Sequence, residues 1–332
     1  MKNRIAVLGA VCAILCLVLV PAEAIESARY GLSLCAELIV PSLLPFFITS
    51  ALLVRLGVPQ TLGRLLAPLA RRLWGVSGAA ASAFFTGIGG GYPLGAQTVA
   101  ELYGTGQIKK EEAERLLRFC NNSGPSFLIG VIGVGLFSSR AAGLLLYGIH
   151  VSSAVLVGVL SRRGGAVNDV VLPAPEIGIA EALVGAVRQA VSAVLGVCGF
   201  VVCFCVLSGL FEALGVWNIT AAFLSRLTGA DVQDLRALLI GMLELSSGIG
   251  ALRALPPSRA RFVLTAFLCG WGGLSVQFQT MAVLSETDLD ARGHWIGRCL
   301  SALFSALLAT AVCRFCPILF ISLSPERFLL NF

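Results

Sequence analysis

Four short stretches place glycine and polar residues inside otherwise apolar runs: "TGIGGGYP" (86–93), "CNNSGPS" (120–126), "LELSSGIG" (243–250) and "CGWGGLSVQFQ" (269–279). Glycine opens a helix and lets backbones approach closely. The N–H and C=O groups freed at such a break, with the half-helix ends beside them, form a ready polar site. Asn121, Asn122, Gln277 and Gln279 add donors and acceptors together. That chemistry suits a neutral polar solute such as a nucleoside, and freed carbonyls suit a small cation. Glu244 adds an acidic group among apolar neighbours, a functional feature by default, for a cation, a proton or an amine. The candidate substrate-binding set is Gly89, Gly90, Gly91, Tyr92, Asn121, Asn122, Ser123, Gly124, Glu244, Ser246, Ser247 and Gln277.

Each feature has a plainer alternative. Glycine breaks also serve tight helix packing, and asparagines also glue helices together. Glu244 could snorkel to an interface or pair with Arg253. Tyr92 and Trp271 suit packing or an interface as well as stacking. No catalytic constellation accompanies the four stretches: H-E-x-x-H, G-x-S-x-G and a P-loop are all missing from the sequence. The two histidines, His150 and His294, offer the serines no evident partner, so the expectation is not an enzyme. Of eleven cysteines, most lie in apolar runs as small hydrophobes. Cys313 and Cys316 form one C-x-x-C without a second pair, so no metal, cofactor or disulfide framework is expected.

The elements that must position these residues are membrane helices. Of the 332 residues 57% are hydrophobic and 13% charged, against about 25% charged in soluble domains. Mean hydropathy is +0.89. Several runs exceed the roughly 20 residues that cross a bilayer. The fold class is an all-α polytopic membrane protein in contact with lipid, and the net charge of +6 bears on topology. No basic stretch is interleaved with aromatics, so no nucleic-acid partner is expected. Residues 5–22 read as an uncleaved first helix, with a signal peptide ending near "AEA" as the alternative. Spans follow at 31–57, 117–137, 141–161, 190–214, 262–284 and 295–322. Residues 58–75 read as an interfacial amphipathic helix, and 104–118 as a charged, solvated one. The segments 76–103 and 235–255 are each interrupted centrally, and 76–103 reads as a re-entrant hairpin of two half-helices. The total is about seven full spans and two hairpins.

The second half repeats the order of the first. "SALLVRLGV" (50–58) matches "SGLFEALGV" (208–216), "TGIG" (86–89) matches "SGIG" (247–250), and "CNNSGPS" matches "CGWGGLS" (269–275). With Lys2 and Arg4 cytoplasmic, Arg71, Arg72, Lys109, Lys110, Arg115 and Arg118 fall inside, as the positive-inside rule prefers, while Arg253, Arg259 and Arg261 fall outside, against it. The two halves then run in opposite directions. The expected organisation is an N-terminal helix (1–30), a first repeat (31–163), a linker (164–178) and a second, inverted repeat (179–332), each repeat with a hairpin and a broken helix. Binding at the midplane between such repeats is a transporter pattern.

The block "GIGGGYPLGAQTVAELYGTGQIKKEEAERLLRFCNNSGPSFLIGVIGVGLF" (87–137), with "PSLLPFFITSALL" (41–53) before it, resembles the YlbJ-type sporulation integral membrane proteins. These belong to the nucleoside-recognition (Gate) group, with spore maturation proteins, the membrane part of FeoB-type iron transporters and concentrative nucleoside transporters. The resemblance implies a multi-pass protein of the bacterial cell (inner) membrane, needed for the spore cortex or coat. It implies ligand contacts at Gly89 to Tyr92 and at Asn121 to Gly124. The joint expectation is a transporter-like protein for a small polar solute or ion. The alternative is a non-transporting scaffold that recruits partners through the 104–118 helix. A homo-oligomer is left open.

Overall fold

A computed structural model describes residues 14–162, 177–256 and 258–315, with Val7 and Val11. Part of the expected first helix at 5–22 and most of the linker at 164–178 lie outside the described residues. Every element among the described residues is helical. Five helices are long and apolar enough to cross a membrane: Pro21–Arg55, Arg140–Leu160, Ile179–Ala213, Arg259–Leu284 and Arg292–Phe315.

The expected boundary at residue 30 is not a break. Helix α1 (Pro21–Leu34) passes through a π-helical stretch, Cys35–Ile39, into α2 (Val40–Arg55). Pro41 has no N–H for the carbonyl four residues back. The wider π turn just before it takes up the mismatch, so the chain continues. After Gly57 the amphipathic α3 (Val58–Trp74) begins, as its alternating arginines and leucines predict. Two short helices follow, α4 (Gly78–Gly90) and α5 (Leu94–Gly104), packed against each other across a turn at Gly91–Pro93. Neither reaches the roughly 20 residues needed to span. A seven-residue helix, α6 (Lys110–Leu116), leads to an irregular stretch at 117–124 and a π-helical segment, Ser126–Val134. The expected span at 117–137 is therefore not one continuous helix. α7 (Arg140–Leu160) closes the first half.

The second half opens with the long α8 (Ile179–Ala213) and the amphipathic α9 (Val216–Thr228). Glycines in the left-handed region bracket both amphipathic helices, Gly57 and Gly75 around α3 and Gly215 and Gly229 around α9. α10 (Val232–Leu243) and α11 (Leu245–Arg253) again form a packed pair, joined at Glu244. α12 (Arg259–Trp271) and α13 (Gly273–Leu284) are one span interrupted at Gly272, and α14 (Arg292–Phe315) packs along α12 and α7. One sequence match is not structural. "TGIG" precedes its turn, at the end of α4, whereas "SGIG" follows its turn, inside α11. The composition recurs but its position relative to the turn does not.

The first helix pair is fixed by an aromatic cluster. The Trp74 ring lies 4.6 Å from Phe84 and 5.3 Å from Phe119, and Gly158 gives it room. The charged run at 104–118 is less free than a solvated helix would be. Lys110 pairs with Asp288 at 2.8 Å. Glu112 accepts the Ser77 N–H at 2.6 Å, Glu114 accepts that of Asp290 at 3.0 Å, and Arg115 donates to the Gly75 carbonyl at 3.1 Å. The Lys110 and Glu114 contacts fasten the loop between α13 and α14 to α6, and those of Glu112 and Arg115 fasten α6 to the turn between α3 and α4.

Hydrogen bonds from Lys110 and then Tyr103 hold the Asp288 carboxyl below the usual aspartate range. A lowered folded-state pKa means the contact is complete above the ordinary aspartate range and is lost as pH falls through the lowered value. Amide exchange should therefore show loop 285–291 protected through that ordinary range, and Asp288→Asn should expose it at neutral pH. Loss of protection at mildly acidic pH, above the range, would contradict the assignment.

Candidate functional site

The four polar stretches meet. An internal cavity of about 60 Å³ is lined by Gly91 and Tyr92, by Ser123 and Gly124, by Glu244 and Ser246, and by Ser275 and Gln279. One pair comes from each stretch. Leu38, Ser42 and Leu43 of the first long helix and Val197 and Val201 of α8 close the remaining side.

Backbone packing sets this convergence. The Cys120 carbonyl sits where a side chain on either Gly87 (α4) or Gly95 (α5) would collide with it. Gly91, at φ 87°, and Gly124 face each other in the same way. The first helix pair is thereby pressed onto the break at 120–124. In the second half Gly241 and Gly248 bring α10 and α11 into backbone contact.

Glu244 is 1% exposed and belongs to neither helix of its pair. Its carboxylate caps α11, one oxygen accepting the Ser246 N–H at 3.1 Å and the other that of Ser247 at 2.6 Å. A carboxylate offers about four acceptor positions, so both oxygens keep capacity toward the cavity. The helix N-terminus favours its negative charge. Among the described residues Glu244 is in no ion pair, so pairing with Arg253 is not its role.

Six members of the sequence-derived set lie off the cavity wall. Asn121 donates to the Thr280 hydroxyl at 2.7 Å and Asn122 to the Phe119 carbonyl at 2.7 Å, both fully buried. Gln277 donates to the Trp271 carbonyl at 2.6 Å and its oxygen meets His294 Nε2 at 2.5 Å. Ser247 Oγ lies 3.5 Å from Cys205 Sγ. Gly90 packs on Ser50 and Leu94, and Gly89 is exposed with open space beside it. The amides of Asn121, Asn122 and Gln277 thus donate to hydroxyl and carbonyl groups at the breaks, while Oδ1 of Asn121 and of Asn122 is buried without a hydrogen-bond partner among the described residues.

Three residues at the centre carry little signal in the sequence. Arg298 of α14 is fully buried, and Nη1 donates to the Tyr92 hydroxyl at 3.0 Å. Longer contacts reach the Gly270 carbonyl at 3.5 Å and the Ser301 hydroxyl at 3.4 Å. Tyr92 in turn donates to the Cys269 carbonyl at 3.3 Å. His150 Nε2 accepts the Ser123 N–H at 3.0 Å. His294 lies between the Leu117 carbonyl and Gln277. Isolated arginine and histidine residues near helix ends read as interfacial, and only the packing of α14 puts them inside.

Two outcomes test this geometry. Tyr92→Phe leaves Arg298 and the Cys269 carbonyl one partner short and should cost about 2 kcal/mol. In an Arg298→Met background the same change should cost measurably less in thermal unfolding, because only one stranded group remains. Equal costs in both backgrounds would show that the two side chains are not coupled. Gly95→Ala should lower stability by about 1–3 kcal/mol or more through overpacking on the Cys120 carbonyl.

The nucleoside-recognition (Gate) family matches residues 37–166. The chain is 30% identical over 313 residues to the sporulation integral membrane protein YlbJ of Bacillus subtilis (strain 168), across 86% of this chain and 77% of that protein. A variant of CNTnw in an outward-facing state shares the fold with TM-score 0.56 at 16% identity, over 82% of this chain and 74% of that one. A second outward-facing CNTnw variant does so with TM-score 0.55 at 16% identity, over 95% and 86%. Identity over most of both chains, together with the membrane-spanning helices, establishes a multi-pass membrane protein that belongs to the YlbJ family of sporulation integral membrane proteins.

Proposed function

We propose that this protein moves a small polar solute or ion across the bacterial cell membrane during sporulation, with the cavity at Glu244 as its binding site. The observation that carries the reading is the convergence of four chain breaks, two from each half, on one cavity with a carboxylate on its wall. A broken backbone at membrane depth is tolerated where it lines a cavity or is buried in protein. Donor-bearing solutes, including amines and other cations, suit the free acceptor positions of Glu244. Ser275 and Gln279 supply a hydroxyl and an amide that serve as donor or acceptor. The name of the Bacillus relative supports the sporulation setting, and the CNTnw fold supports transport.

Inverted repeats with two re-entrant hairpins, α4–α5 and α10–α11, fit the same reading. The bond between Lys110 and Asp288 joins the end of the first hairpin to the end of α13. The Arg236–Glu212 and Arg261–Asp234 pairs gather the start of the second hairpin, in α10, with the end of α8 and the start of α12. The hairpins thus enter from opposite ends of the bundle, and Arg261 is partnered rather than a bare outside charge. The scaffold alternative draws less support, because the polar contacts of helix α6 are spent inside the protein.

Glu244→Gln and Gln279→Ala should lower sporulation frequency by roughly tenfold or more at undiminished protein abundance, the scale of one charge-assisted contact. Asn122→Ala should instead lower abundance, since it strands the Phe119 carbonyl. Normal sporulation by both cavity variants at full abundance would remove the cavity from the mechanism.

A further inference from the structure

A second, larger cavity of about 750 Å³ lies against the first. Its walls come from α1 and the π-helical turn, from the π segment 126–134 with the residues after it, and from α11. Leu38, Ser42 and Ser246 belong to the walls of both cavities. The outer cavity carries charge at both faces, Glu37 on one and Arg253 on the other, with Tyr30 and Ser33 beside them.

Glu37 decides what fills it. Between Arg29 and Arg55 it is the only charged residue, and it sits eight residues, about 12 Å along the axis, inside Arg29. It is exposed to space rather than covered by protein, and its carboxylate accepts a hydrogen bond from Ser33 of the same helix at 3.0 Å. An ionisable group at such depth faces the bundle interior or a water-filled cavity. The π-helical turn that accommodates Pro41 contains Glu37 itself, so the backbone irregularity sets the direction of this side chain.

We propose that the outer cavity is an aqueous vestibule, and that water and solute reach the Glu244 site from it through a constriction formed by Leu38, Ser42 and Ser246. This rests on reading the inner cavity as a solute site, but its test reads water access and not transport. Gly130 on the vestibule wall has open space where a side chain would begin, so Gly130→Trp fills the vestibule without a backbone collision.

The experiment is hydroxyl-radical footprinting of the intact protein in lipid nanodiscs, with radicals generated from water by X-rays and modification read by mass spectrometry. In the wild-type protein Tyr30, Leu136 and the inner-cavity residue Phe127 should be oxidised severalfold faster, relative to the intrinsic reactivity of each side-chain type, than Leu303 and Leu307 on the exposed face of α14. Gly130→Trp should slow Phe127 severalfold and leave Tyr103, at the Asp288 end, unchanged. Val134→Trp, at an exposed residue of the same wall, serves as the second plug if the first variant is not monodisperse. Protection of Tyr30 and Leu136 equal to that of Leu303 would show a lipid-filled groove and overturn the vestibule. Unchanged oxidation of Phe127 in a folded plugged variant would overturn the route. A supported route alongside normal sporulation of the Glu244 variants would separate this inference from the proposed function, ending the latter alone.

Discussion

The structure depends on satisfying backbone that has left the helix inside an apolar bundle. Four breaks free N–H and C=O groups where water is scarce, and each unsatisfied group costs several kcal/mol in hydrocarbon. Arg298 bears on two breaks at once. Its guanidinium, delivered by the last described helix, reaches Tyr92 at the first hairpin tip and the Gly270 carbonyl beside the interruption of the α12–α13 span. No carboxylate lies within ion-pair distance among the described residues. One hydrogen bond of ordinary length and two long ones recover less than the several kcal/mol an ion loses on leaving water. Arg298 therefore holds the two halves in register at a cost to stability rather than as a gain.

The same constraint explains why the asparagines and Gln277 are not on the cavity wall. A chain break needs its polar side chains first for itself. Asn122 closes the turn through the Phe119 carbonyl, Asn121 ties the break to α13, and Gln277 receives the carbonyl at the end of α12. What remains for a ligand is the residue whose own bonds are met with capacity to spare. Glu244 is one such residue on the cavity wall, because a carboxylate can cap a helix and still accept more.

The breaks were legible in the sequence because glycine, proline and amides within an apolar run weaken a continuous helix and are accommodated where it opens. The amphipathic α3 was legible from its pattern alone. The direction of each side chain was not, because it follows from packing between elements far apart in sequence. Asn121 and Arg298 show this: a conspicuous polar residue whose amide turns to the Thr280 hydroxyl, and an inconspicuous charge buried by the packing of its helix. The continuous helix through residue 30 was missed because Glu23, Glu26 and Arg29 interrupt the apolar pattern there, while the backbone runs on as helix. The "TGIG" and "SGIG" pair misled because residue types recur more readily than their place relative to a turn.

The dimensions of the two cavities limit what the proposed mechanism can be. The inner space, about 60 Å³, holds a few waters or one small ion, whereas sites for drug-sized ligands run to about 300 Å³ and more. A solute as large as a nucleoside would require the walls to part. The tight contacts of Gly87 and Gly95 on the Cys120 carbonyl tie the first hairpin to its neighbouring break, so those two would move together. The wall that lacks such backbone contact is the long helix carrying Leu38 and Ser42, which is also the wall shared with the outer cavity. Displacement of that helix relative to the joined hairpin and break would enlarge the inner site and open it to the vestibule in one motion. It packs along α8, with Gly31 against the Val202 backbone, so the two long helices would move as one.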